Sequence, residues 1–384
     1  MIDLMKTKDW ITSQIDCGFI ELILISSMKP QIHDLNYLQR LEDRKAPMKL
    51  ATPLVEEIRR PGTLSKSYAQ FIPDEHPLLN PLKLVIKTPM MTVVVEHIQE
   101  MLFDFDSGGC LLGGFRIGKT IALQTITQEL SESIDMPVYC HYFSADKLEK
   151  DTIKQMYEMF CYQENIPTKR NAKGLDLREC VIHRLLDRLI LSGGQQIVLL
   201  IDELQRLNTD QLEALASLHD IFRRLGVNVC IIFVGNTDPS NKIIDAADKE
   251  DNRLIYGRFF ENQKPIYGIR TKRELRKCLA EFDRLQYPEG GVSYTHYFLH
   301  DDAPKNWKLT SLTDIFWDVY RKDFWPKIKE RHSSLGLKYF ISTVRSLLIF
   351  FLSSIWTEDK AELREMIRQA MKRSRIGAER VRVA

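Results

Sequence analysis

The residues with the clearest chemistry lie at positions 113–120, which read Gly-Gly-Phe-Arg-Ile-Gly-Lys-Thr. This segment matches the GxxxxGK[ST] pattern of a phosphate-binding loop at every fixed position. Glycines let such a loop curl so that backbone N–H groups converge on an anion, and the following helix adds partial positive charge. We therefore predict that Lys119 bridges the β- and γ-phosphates of ATP and that Thr120 ligates Mg²⁺.

A second pattern is an apolar stretch that ends in two acids, Gln-Ile-Val-Leu-Leu-Ile-Asp-Glu at 196–203. A buried strand of this kind places both carboxylates at the carboxyl edge of a sheet, beside the phosphate-binding loop. Asp202 is predicted to hold Mg²⁺ through water, and Glu203 to orient and polarise the attacking water. The alternative is that the acids only cap a helix. The predicted nucleotide-binding residues are Gly113, Gly114, Phe115, Arg116, Ile117, Gly118, Lys119, Thr120 and Asp202.

Two further polar residues are predicted to take part in catalysis. Asn236 ends a third apolar stretch and is expected to position the water together with Glu203; a simple Asn-Thr-Asp-Pro turn is the alternative. Arg258 follows a short helix before the fifth strand and is expected to reach the γ-phosphate bound by a neighbouring subunit, with Arg253 as second choice. A surface salt bridge is the alternative for this arginine.

These residues need a scaffold, and the pattern from about residue 86 to 270 alternates apolar strands with amphipathic helices. Five such strands predict an α/β fold, a parallel five-stranded sheet with helices on both faces. Residues 271–358 are predicted to form a small α-helical lid. Residues 1–85 form an N-terminal extension without a motif. Residues 359–384 form a basic tail, in which residues 360–384 include eight Lys or Arg and three Glu, a net charge of +5.

Composition excludes several other classes of protein. The net charge of +2 over 384 residues gives no global basic field. The seven cysteines include no CxxC pair, so buried reduced thiols are expected in place of disulfides or a zinc site. No signal-peptide pattern is present, and the longest apolar run, 347–352, is too short to cross a membrane. We expect a cytoplasmic protein.

The order of these motifs, followed by a helical lid, resembles AAA+ ATPases. Within them the sequence resembles the TnsC/TniB family of transposition regulators, on two features: the arginine inside the phosphate-binding loop and the Leu-Gln-Arg-Leu that follows the acids at 204–207. The resemblance covers about residues 86–355. It implies ATP binding between subunits, assembly on double-stranded DNA as a ring or helical filament, and contact with a transposase and a target-selector protein.

The resemblance also implies DNA contacts just after the second strand. Lys147, Lys150 and Lys154 are spaced as one helical face would require, although Asp146, Glu149 and Asp151 between them are equally typical of a solvated face. Many AAA+ lids carry a sensor arginine in a Gly-x-x-Arg setting. This sequence departs from that pattern, which leaves Lys338 or Arg345 for the role and predicts slow hydrolysis.

Two other functions remain open at this point. One is a nucleotide-gated signalling or adaptor ATPase that binds protein and not DNA, with the basic tail as a flexible arm. The other is an ATPase of the replication-initiator or helicase-loader type, although the sequence has no recognisable helix-turn-helix reader or loader segment.

Overall fold

The structure is a computed structural model that describes residues 76–80, 84–133, 137–147, 152–169, 171–249, 252–328 and 334–376. The chain divides into two units, 1–60 and 61–384, and every described residue belongs to the second. Most of the predicted N-terminal extension lies outside the described residues.

The first part of this unit alternates strands and helices as predicted. Its strands are β1 Gly108–Gly113, β2 Val138–Ser144, β3 Gln196–Asp202, β4 Asn228–Asn236 and β5 Gln263–Ile266. Its helices are α1 Pro89–Phe103, α2 Lys119–Ser133, α3 Ile153–Gln163, α4 Gly174–Ser192, α5 Thr209–Arg224, α6 Thr237–Ala247 and α7 Arg253–Phe259. A 3₁₀ turn, Leu204–Arg206, follows β3 directly.

The five strands form one parallel sheet in the order β2-β3-β4-β1-β5, which confirms the predicted fold class. β3 and β4 are buried on both faces, as expected for continuous apolar runs in a parallel sheet. Side chains of one face, such as Leu200 and Ile232, pack on α1 and α2. Side chains of the other face, such as Leu199 and Phe233, pack on α3, α4, α5 and α7.

The second part is mostly helical and has its own apolar core. It contains α8 Lys272–Arg284, the short hairpin β6 Gln286–Tyr287 and β7 Val292–Ser293, α9 Tyr294–Phe298, and a 3₁₀ turn Leu309–Leu312. A long helical stretch then comprises α10 Thr313–Val319, a π-helical segment Tyr320–Phe324 and α11 Trp325–Ile328. α12 Leu337–Ser346 continues into a second π-helical segment, Leu347–Leu352, and α13 is Lys360–Arg373.

Residues 360–376 of the predicted basic tail are described by the structure, and they pack on the helical part. α13 buries Leu363, Ile367 and Met371 in the core of the helical part. These residues recur at helical spacing and form an apolar stripe that needs a packing partner. The basic residues lie on the other faces of this helix, so a flexible arm cannot begin before residue 377.

Residues 76–80 are held on the helical part by His76, which is fully buried. The imidazole ring lies 4.4–5.0 Å, between ring centroids, from four aromatic rings. These rings belong to Tyr287, Tyr294, Tyr297 and Phe298. His76 Nδ1 accepts a hydrogen bond from the Leu78 N–H at 3.1 Å. Arg345 donates to the carbonyls of Leu78 and Leu79 on the same segment.

A pair of glycine variants tests the tight packing of β1. A Cβ atom on Gly108 would lie 2.3 Å from the carbonyl oxygen of Ile231 on β4, whereas one on Gly257 in α7 would lie no closer than 3.8 Å to any atom. We expect Gly108→Ala to lower the free energy of unfolding by about 1–3 kcal/mol. Gly257→Ala should raise it by about 0.5–1 kcal/mol because alanine favours helix. Urea unfolding measures both, and equal effects would contradict this packing.

The buried His76 predicts a pH dependence of stability. Burial lowers the pKa of His76 from 6.5 to about 4, so between these values the unfolded chain binds a proton that the folded chain does not. Stability should therefore fall as the pH drops from about 6.5 to 4. Urea unfolding measures this effect. Over this range the free energy of unfolding of His76→Phe should change less steeply with pH than that of the wild type. Identical slopes would mean that His76 is not held neutral in the folded state.

Candidate functional site

The loop between β1 and α2 has the curled backbone that an anion-binding loop requires. Arg116 and Gly118 have φ angles of 64° and 88°, in the left-handed region. A Cβ on Gly113 would lie 2.4 Å from Ile117 Cδ1 and 2.6 Å from the Ile266 carbonyl oxygen, so packing alone requires glycine there. A Cβ on Gly114 would meet nothing within 4 Å, which leaves the face of the loop beside Gly114 open to a ligand.

Lys119 lies at the centre of this site. Its Nζ donates to the carbonyl oxygens of Gly113 at 3.1 Å and Gly114 at 2.7 Å, and to Asn236 Oδ1 at 2.8 Å. Burial lowers the pKa of Lys119, while the charges of Asp202 and Glu203 act in the opposite direction. The ammonium group is thus fixed between the loop and the end of β4, where it can meet phosphate oxygens.

Asp202, at the end of β3, is 1% exposed and bonded through both oxygens. Oδ2 accepts from the Thr120 hydroxyl at 2.7 Å and from the Tyr142 hydroxyl at 3.3 Å, and Oδ1 accepts from the Glu203 N–H at 2.8 Å. Burial, with the charge of Asp202, raises the pKa of Tyr142 to about 12. A hydroxyl and a carboxylate in contact are hard oxygen ligands of the kind Mg²⁺ prefers.

Glu203 is held in a rarely adopted conformation. Its φ of 65° is left-handed, which costs a non-glycine residue about 1–3 kcal/mol and is found disproportionately at functional sites. Its Oε2 accepts from Gln205 Nε2 at 2.6 Å and lies 3.5 Å from Arg206 Nε. The carboxylate is 27% exposed, so it faces solvent at the rim of the site.

Gln205 is the residue that the sequence analysis missed. Its Oε1 accepts from the Asn236 N–H at 3.1 Å and from the Ser240 hydroxyl at 3.3 Å, while its Nε2 holds Glu203. One side chain therefore joins the end of β3 to the end of β4. Asn236, predicted to act beside Glu203, instead bonds to Lys119 and reaches Glu203 through this glutamine.

The helical part also reaches the loop. The Lys338 N–H donates to the Arg116 carbonyl at 3.2 Å, and Arg116 Nη1 donates to the Tyr339 hydroxyl at 2.5 Å. Leu337 packs on Gly118 and lines a small apolar recess of about 30 Å³ beside the loop. Thr88, Met91, Tyr267 and Leu123 also line this recess. Of the two candidate lid sensors, Lys338 is exposed beside the loop, whereas Arg345 is engaged with residues 78 and 79.

Arg258, the predicted inter-subunit residue, forms a salt bridge within its own chain. Its Nη1 lies 2.8 Å from Asp220 Oδ1 and donates to the Ala216 carbonyl at 3.3 Å. Its side chain is 30% exposed. Arg253, the second choice, is exposed at the start of α7. The role of either arginine stays a prediction.

The prediction that Lys147, Lys150 and Lys154 share one helical face is wrong. α3 begins at Ile153, because Thr152 has an extended backbone and accepts a hydrogen bond from the Gln155 N–H at 3.2 Å as the N-cap. Lys147 precedes that cap and is not helical, so it does not share a helical face with Lys154. Lys154 lies 3.4 Å from Glu158 in an ion pair, and Lys150 lies outside the described residues.

The structure describes six of the seven cysteines. Six cysteines are free thiols, and Cys17 lies outside the described residues. In the described ranges no group of three or more His, Cys, Asp or Glu side chains could hold a metal ion. The helices described there include none that is long and apolar enough to cross a membrane.

Comparison with known proteins agrees with this geometry. Residues 106–243 match the family model described as an AAA domain, whereas no curated protein is significantly similar in sequence. The segment from 106 to 243 contains the loop, both acids and Asn236. We therefore describe it as an AAA-type P-loop ATPase domain.

Several solved structures have a similar fold. The Aeropyrum pernix ORC1 protein in complex with DNA matches with 14% identity over 77% of this chain and 68% of that chain, at a TM-score of 0.47. Cdc6p from Pyrobaculum aerophilum matches with 15% identity over 73% and 72%, at 0.41. Drosophila ORC bound to DNA matches with 16% identity over 77% and 69%, at 0.42.

The contacts of Gln205 predict a selective effect on nucleotide hydrolysis. Gln205→Glu keeps an oxygen for the Asn236 N–H but replaces the donor to Glu203 with a like charge, which should push the Glu203 carboxylate away. We expect kcat for ATP hydrolysis to fall by about tenfold or more, with ATP affinity changed less than about twofold. Gln124→Glu, on an exposed position of α2, is the control and should match the wild type. A loss of ATP affinity with unchanged kcat would contradict the assigned role.

Proposed function

We propose that the AAA-type domain binds ATP with Mg²⁺ and hydrolyses it. The observation that carries this proposal is the direct hydrogen bond from Thr120 to Asp202, with Lys119 and Glu203 beside it. The start of α2 and the end of β3 thus place together the hydroxyl, carboxylate and ammonium groups that a triphosphate and its metal require.

Each residue has a distinct part in this scheme. Lys119 exchanges its carbonyl and amide contacts for phosphate oxygens and neutralises their charge. Thr120 and Asp202 provide the metal site, and Mg²⁺ there would offset the charge that develops on the phosphates. Glu203 accepts a proton from the attacking water and aligns it, while Gln205 fixes the Glu203 carboxylate.

We further propose that the protein is an ATP-dependent DNA-binding regulator of transposition. It would assemble on double-stranded DNA and connect a target-site selector with a transposase. The support for this finer assignment is the resemblance to TnsC/TniB proteins. The two features that carry it take part in the site, because Arg116 contacts Tyr339 and the Leu-Gln-Arg-Leu segment contains Gln205 and Arg206.

Assembly would complete the site from a second copy of the chain. In this proposal Arg258 leaves Asp220 and reaches the phosphates bound by its neighbour, where a guanidinium can contact two oxygens at once. The adaptor ATPase that binds only protein remains the second candidate. Its flexible basic arm is not supported, because α13 is packed on the helical core.

Two variants separate nucleotide binding from hydrolysis. Glu203→Gln should bind ATP and give DNA complexes that last at least tenfold longer than those of the wild type, since turnover is blocked. Lys119→Ala should lose both ATP binding and the ATP-dependent DNA complexes. Fluorescence anisotropy of labelled random duplex DNA, with ATP and with ADP, measures the formation and lifetime of the DNA complexes for both variants.

The wild type supplies the decisive comparison in this experiment. Equal DNA binding with ATP, with ADP and without nucleotide would reject the proposed scheme. Normal ATP hydrolysis with no DNA binding at low salt would support the adaptor ATPase instead.

A further inference from the structure

An open groove on the helical part is lined mainly by positively charged side chains. It lies between the end of α13 and the stretch that leads into α11. Its charged and apolar lining includes Asp323, Phe324, Lys327, Arg368, Lys372 and Arg375. The cations come from two separate helical elements, so the sequence does not reveal that they converge.

Three acids lie around this groove, and two arginines form ion pairs with them. Arg368 Nε lies 2.8 Å from Asp323 Oδ2, and Arg368 Nη1 donates to Glu365. Arg364 lies 3.7 Å from Asp318. Lys327, Lys372 and Arg375 are exposed and form no ion pair within 4 Å among the described residues. Three exposed cations therefore line one groove, where the charge of Lys372 also acts on the Glu365 carboxylate.

Helix stability accounts for the positions of two of these three cations. Lys372 is in the last turn of α13 and Lys327 is in the last turn of α11, where basic residues favour the macrodipole. It does not account for Arg375, which follows the end of α13 with a left-handed φ of 61°, or for the convergence of cations from both elements on one groove. Placing like charges together from separate elements costs free energy that an anionic partner would offset.

The apolar lining decides which anion fits best. Phe324 and the neighbouring Ile376 are each only 5% exposed, so the accessible side chains of the groove are mainly the charged ones. Protein partners draw most of their binding energy from buried apolar anchors. Phosphates of nucleic acid need only converging Lys and Arg side chains. The groove is therefore suited to a phosphate backbone more than to an acidic peptide.

We propose that Lys327, Lys372 and Arg375 form a second contact with the phosphate backbone of duplex DNA. This inference rests on the proposed DNA-binding function and names a surface on the helical part, away from the segment after β2. Because the contact is with phosphates alone, it is independent of base sequence and falls steeply with salt.

The test compares the salt dependence of DNA binding by full-length protein with ATP. The triple variant Lys327→Gln, Lys372→Gln, Arg375→Gln should bind random duplex more weakly. The slope of log K against log salt should be less steep by roughly one to three, since each lost phosphate contact removes about 0.9. A charge-matched control changes Lys249, Lys277 and Lys305, which are exposed elsewhere, to Gln and should keep the wild-type slope.

The possible outcomes separate this inference from the proposed function. ATP binding by both triple variants should equal that of the wild type, which confirms that they are folded. If wild type and both variants share one slope, the groove does not bind DNA, although the proposed function stands. If the wild type binds no duplex at all, both proposals fail. If the groove variant alone fails to bind a labelled glutamate-rich peptide, while its DNA binding is unchanged, the groove belongs to a protein partner.

Discussion

The parallel register of three neighbouring strands is the constraint on which the rest of this site depends. β1 lies beside β4, with Gly113 opposite Asn236, and β3 lies on the other side of β4. Because all three run in the same direction, their carboxyl ends meet at one edge. The loop, the acids and Asn236 come from distant parts of the chain, and this edge brings Lys119 within 2.8 Å of Asn236.

A network of polar side chains then holds in place the groups that the sheet only brings near one another. Asp202 uses both oxygens, and Gln205 uses both its oxygen and its nitrogen. A satisfied network of this kind holds its members in one arrangement, whereas an unsatisfied buried group costs about 1–3 kcal/mol. The left-handed backbone of Glu203 can persist because Gln205 and Arg206 hold the side chain on the same turn.

Local patterns predicted the sheet, the loop and the acids because each depends on residues close together in sequence. Local patterns could not predict the role of Gln205, because that role arises from the adjacency of β3 and β4 in the sheet. The prediction of one lysine face after β2 was wrong because α3 begins only after the cap at Thr152, which separates Lys147 from Lys154. The charge of the C-terminal residues predicted a basic tail, whereas the apolar stripe of Leu363, Ile367 and Met371 packs part of it on the helical core.

The helical part is connected to the loop and to residues 76–80 by opposite ends of α12. At its start, Leu337 packs on Gly118 and the Lys338 N–H bonds to Arg116. Near its end, Arg345 bonds to the carbonyls of Leu78 and Leu79. A displacement of the loop by bound phosphates would therefore act on residues 76–80 through α12. Arg345, one of the two candidate lid sensors, thus joins residues 78 and 79 to the helix that touches the phosphate-binding loop.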